Sequence, residues 1–124
     1  MSRDLPKPIR AALRSLAGAA HERELHRLLE GLDAEFARWR RGEIDSFALS
    51  DAVDRLARGR ERRDLAGRYA SSELLPMLVA RAIVAGLLRP DEVPAEVTAA
   101  LDHELGYFRR GLADGSIRLD VGED

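Results

Sequence analysis

The chain has 124 residues, a length that suits one domain whose core removes roughly two-thirds of the unfolded surface from water. Hydrophobic residues make up 45% and charged residues 34%, a balance that excludes global disorder. The formal net charge of -2 supplies no overall attraction to nucleic acid or anionic lipid, and the lack of cysteine excludes disulfides, thiolate metal ligands and thiol nucleophiles.

Pro8 can sit in the first turn of a helix that runs to Gly42 without a strong breaker. Ile9, Leu13, Leu16 and Ala20 share one stripe of this helix, whereas Leu25, Leu28, Leu32, Phe36 and Trp39 share another, rotated by roughly 120°. The stripe changes face near Gly18, which leaves two readings: one unbroken helix that passes between packing partners, the favoured one, or a kink around Gly18 to Ala20. Asp45 or Ser46 can cap a second helix that turns Leu49, Ala52, Val53 and Leu56 inward and has Gly59 just past its end. Ile44 and Phe47 are expected to tuck the connection against the core.

A short third helix is predicted from Glu61 to Ala70, burying Leu65 and Tyr69. Ser71 or Ser72 then opens the most apolar segment, Leu74 to Leu88, interrupted only by Arg81. Fifteen residues fall short of the about 20 that span a bilayer, so this segment reads as a central helix, and Arg81 then requires a carboxylate or a route to solvent. Pro90 stops it and Pro94 starts the last helix, whose stripe is Val97, Leu101, Leu105, Phe108 and Leu112. The expected architecture is all-α, about five helices in a compact bundle with a long first helix and an apolar central fourth helix. One domain over 1–113 and an acidic C-terminal tail over 114–124 complete the division.

HERELH, His21 to His26, resembles a metal motif at first sight. Zinc proteases place two histidines four apart so that both imidazoles reach one ion from one helix face, but here they are five apart and diverge by about 140°. Di-iron bundles use an acid three residues before a histidine, where this chain has Gly18, Arg23 and Ala100. A site shared between helices, His21 or His26 with His103 and an acid, has nothing in the sequence to assemble it, so no metal and no cofactor are expected. His21 reads instead as a half-buried histidine with a hydrogen-bond partner, and His26 and His103 as solvent-facing.

Six arginines between Arg55 and Arg68 form the strongest basic cluster, with Arg58, Arg60, Arg62 and Arg63 as the candidates for nucleic-acid contact. Basic residues at a helix start oppose its dipole, a tension an acidic ligand could relieve. A helix-turn-helix does not fit, because Arg55 falls where a small residue lets the helices approach and Arg60 where an apolar one belongs. All but one of the 20 basic residues are arginine, in keeping with a GC-rich bacterial genome, so arginine content alone carries no weight. A solvated, acid-paired face is the stronger reading, and nucleic acid the alternative.

No serine has a histidine and an acid at a recognisable spacing, so no catalytic residue and no enzyme activity are inferred. The positive signal is association: two stripes on one long helix exceed what a small monomer can cover. Phe36, Trp39, Ile44 and Phe47, set among arginines, are the expected interface of a homodimer or a complex with another protein, although an ordinary core place at the end of the first helix is the stronger reading for Trp39 by itself. The N-terminal MSRDLPKPIR lacks the apolar run of a secretory signal, so the expected location is cytoplasmic and no membrane partner is foreseen. The first half of the chain, LPKPIRAALRSLAGAAHERELHRLLEGLDAEFARWRRGEIDSFALSDAVDRL with its W-x-x-G-x-I portion, resembles a group of small bacterial all-helical proteins of unknown function. The resemblance implies a helical domain and carries no catalytic residues.

Overall fold

The computed structural model describes residues 5–59, 63–64, 67–70 and 72–119. Among these, five α-helices are delimited and no strand occurs: α1 (Lys7–Arg40), α2 (Ser46–Arg58), α3 (Leu75–Ala85), α4 (Ala95–Ala100) and α5 (Asp102–Asp114). None of these helices is long and apolar enough to cross a membrane.

The first helix is unbroken for 34 residues, about 50 Å, so the stripe changes face within one continuous helix. Gly18 and Gly31 lie in it with open space where a Cβ would stand. Its end is a hydrogen-bonded reversal: Gly42 adopts φ +77, its N–H donates to the Trp39 carbonyl, and Glu43 N–H donates to that of Arg38. Of the two candidate caps on α2, Asp45 performs the task, its Oδ1 accepting from Ala48 N–H at 2.8 Å. Gly59 follows α2 because the chain folds so tightly there that a Cβ would lie 1.9 Å from the Arg55 carbonyl oxygen. The third helix predicted from Glu61 to Ala70 lies partly outside the described residues; Arg63, Asp64, Gly67 and Arg68 have helical backbone.

The apolar segment is central, as its composition requires: α3 packs against α1 on one side and α5 on the other. Its helix is shorter than predicted. A 3-10 turn, Ser72–Leu74, precedes it, and Leu74, with no capping side chain, stands at its start in place of a serine. Gly86, at φ +83, ends it, so Leu87 and Leu88 leave the helix yet remain buried, their N–H groups donating to the Ala82 carbonyl. The single helix predicted after Pro94 is divided at Leu101, where the backbone relaxes to φ -100, ψ 13. The break leaves the stripe in phase, because Leu101 itself is fully buried between Val97 and Leu105.

Leu13, Leu16, Ala17 and Ala20 of α1 meet Val79, Ala80 and Ala82 of α3, and Val97, Leu101, Leu105 and Phe108 close the same core. Each large side chain withdrawn there contributes about 1.5–3 kcal/mol before conformational entropy is subtracted. Three predicted core positions are corrected. Val53 and Leu112 are exposed, and Phe47 is 83% exposed instead of tucked under the connection. In place of Leu112, Gly111 is the buried residue of that turn, because Ile117 folds back over it and Ile117 N–H donates to the Gly111 carbonyl at 3.0 Å. The beginning of the expected tail thus packs on the body through Ile117 and Leu119.

Glu24 is the last buried residue of α1. From Leu25 to Arg40 the helix runs about 24 Å further, and α2 packs principally against it. The molecule therefore has a body, built on α3, and a two-helix arm.

Candidate functional site

Where body and arm meet, Glu24 occupies the position four residues after Ala20, the next place on the buried stripe. Its Oε1 accepts from Arg81 Nη1 at 2.5 Å and its Oε2 from Arg68 Nη1 at 2.5 Å, while the Tyr69 hydroxyl donates to Oε1 at 3.3 Å. The carboxylate required by Arg81 is thus supplied by α1. His21, one turn earlier, stacks on the Tyr69 ring with centroids 4.5 Å apart and planes 5° from parallel. This ring contact is the partner the structure shows for His21, in place of the expected hydrogen bond. Burial, aided by the neighbouring Glu24 charge, pushes the Tyr69 hydroxyl up to about 12. With both carboxylate oxygens engaged, the cluster acts as a clamp that ties α1, α3 and the chain at 68–69 together.

A second ion pair sits one residue away. Arg23 forms a forked contact with Glu92 at 2.7 and 2.8 Å and donates also to the Leu87 carbonyl at 2.6 Å, fastening the turn after α3 to α1. Hydrogen bonds from Arg23 and from Arg89 N–H hold the Glu92 carboxyl down at about 2. Beside it lies an open groove of about 440 Å³ lined by Glu22, Arg23, His26, Glu30, Leu87 and Arg89. Its charges are mixed, and its one histidine, His26, stands 3.6 Å from Glu30. Among the described residues no three His, Asp or Glu side chains converge as metal ligands, and His103 is exposed on α5.

Four arginines of the basic cluster are among the described residues. Arg55, Arg58 and Arg63 are exposed, Arg58 lies 3.7 Å from Asp54, and Arg68 is turned to Glu24. Arg60 and Arg62 lie outside the described residues.

The arm gathers most of the predicted contact region. Phe36 and Trp39 meet edge to face at 6.4 Å, and the Trp39 indole N–H donates to Ser46 Oγ at 3.1 Å, locking the tip of α1 to the start of α2. Trp39 nevertheless remains 41% exposed, and Ile44 in the connecting turn is half-buried. Arg38 contacts Glu35 at 3.3 Å and Glu43 at 3.7 Å, and the Arg41 guanidinium, bonded to Glu43, lowers that carboxyl below its usual range. Phe47 separates from the others: it lies on the side of α2 opposite the buried Leu49 and Ala52. Leu29, absent from the expected set, is 50% exposed and extends the apolar surface of α1 toward the body.

Comparison with known protein families, with curated proteins and with solved structures gives no match. Glu24 and Arg23, both inside HERELH, are not singled out by motif spacing, which draws on the histidines alone. The signal was present in the spacing: a glutamate at the next position of a buried stripe, in a chain with an arginine alone in an apolar helix.

Proposed function

We propose that the protein works by protein-protein association, as a homodimer joined through the arm, and that it carries no catalytic activity of its own. The observation that carries this reading is the apolar surface left on α1 beyond Glu24, where Leu29 and Trp39 are exposed beside half-buried Leu25, Leu32 and Phe36. Two helices side by side cover one face of each other, and a stable helical assembly requires a further layer. Apolar surface continuous along a helix, rimmed by charges and anchored by a tryptophan whose ring N–H is already bonded, is what association surfaces present. The body, in contrast, closes a core of its own.

Light scattering on a sizing column tests the reading. The expected mass is about twice the 13.7 kDa of one chain. Leu29→Asp with Phe36→Asp should return a folded monomer, and a wild-type protein that stays monomeric up to millimolar concentration would refute the homodimer.

A further inference from the structure

Leu29, Asp33, Phe36 and Arg40 follow one another on α1 at spacings of four, three and four residues, so they form one continuous stripe along the outer arm. Leu25 and Leu32 flank it on the apolar side. Asp33 and Arg40 are both exposed, seven residues and about 10 Å apart, and among the described residues neither has an ion pair within the chain.

We infer that a second copy of this chain docks antiparallel on this stripe, with the two-fold axis crossing α1 between Phe36 and Ala37. The inference rests on the homodimer reading above and adds its geometry. A two-fold axis perpendicular to two facing helices brings residues equally far on either side of it together, on the same edge of the seam. An axis at this level sets Asp33 opposite the partner's Arg40, and Arg40 opposite the partner's Asp33, so that the acid and the base left without an ion pair on each copy make two ion pairs across the seam. The two Phe36 rings meet at the axis, and Leu29 falls opposite the turn that carries the partner's Ile44.

Charge decides the direction. A parallel pairing would set Arg40 beside the partner's Arg40 and Asp33 beside the partner's Asp33, whereas Arg38 and Arg41 are already balanced by Glu35 and Glu43 within the chain. The antiparallel pairing places each arginine-rich tip beside the stretch carrying the partner's Glu30 and Asp33. It is also free of obstruction: the tip turn, residues 42–45, lies roughly 10 Å from the axis, whereas the body, which begins at Glu24, lies about 19 Å from it on the other side. The arms overlap, and the two bodies lie at opposite ends of an elongated particle.

The test is a charge exchange followed by sedimentation equilibrium at low salt, with circular dichroism confirming that each variant keeps its helix content. Asp33→Arg alone and Arg40→Asp alone each place like charges opposite one another twice, and each should weaken the dimer about tenfold or more. The double variant D33R/R40D reverses both signs and should return to within about threefold of wild type. A wild-type monomer overturns the homodimer reading and this geometry together. A wild-type dimer in which the double variant is as weak as the singles, or weaker, overturns the antiparallel register and leaves the homodimer standing.

Discussion

Glu24 is buried because the stripe that begins at Leu13 reaches it before the helix leaves the body, and it is tolerated there because Arg81, Arg68 and the Tyr69 hydroxyl all turn to it. Removing one partner from such a set leaves an uncompensated charge in a poorly solvated place, which costs more than the pair contributes. Glu24→Gln should therefore destabilise the protein by about 3–5 kcal/mol in urea titrations, while Glu24→Leu combined with Arg81→Met should recover most of the loss. Arg81's need for a carboxylate was legible from the apolar segment around it. Which of the chain's acids would answer was not, since that depends on how α1 and α3 face each other. Glu92 supports a pH test. Its folded-state carboxyl titrates at about 2 against an ordinary value of 4.5. The unfolded chain thus takes up this proton first on acidification, so the stabilisation is present above about pH 4.5 and is lost as pH falls through about 2. Glu92→Gln should remove that contribution, and the difference between wild-type and variant stability, followed by denaturant titration from pH 6 to 2, should shrink across that window.

At the scale of elements, glycines mark where local rules yield to packing. Gly111 is buried under Ile117, and a Cβ there would lie 2.2 Å from the Ile117 Cδ1. Gly111→Ala should cost about 1–3 kcal/mol in thermal or urea unfolding and free the chain after Gly115 to limited proteolysis. Ile117→Ala in the same chain should make the alanine at 111 markedly less damaging, because the obstruction is that one side chain. Gly18 is the control: helical, exposed and with open space around its Cα, so Gly18→Ala should stabilise by about 0.5–1 kcal/mol. Helix α1 and the Asp45 cap were legible because periodicity and capping chemistry are local. The end of α3 was misplaced because Leu87 and Leu88 are apolar for burial in a turn, and hydropathy does not separate a buried turn from a buried helix. The break at Leu101 was invisible for a related reason: the stripe crosses it in phase.

On the scale of the whole molecule, body and arm differ in what holds them. The body places α3 between α1 and α5 and closes with Leu101 and Leu105 almost inaccessible to water, so its amides open only when the domain unfolds. The arm has α2 against the outer part of α1, one buried seam of Leu49 and Ala52, and the Trp39 to Ser46 contact at its tip. Such a pair opens locally at small cost unless something covers it. Native-state hydrogen exchange should therefore divide the chain: amides of α3 and α5 exchange at the global unfolding rate and slowly at every protein concentration. Amides over residues 46–58 should exchange faster, and their protection should rise with protein concentration, because dimerisation stabilises only the state with the arm formed, by an amount that grows as the logarithm of concentration over the dissociation constant. Leu29→Asp should abolish the concentration dependence in the arm and lower the body's protection only by the dimerisation contribution that global unfolding also loses. Arm amides as slow as the body's in dilute protein would mean that the two helices are stable without a partner, which would remove the physical reason for placing the association surface there.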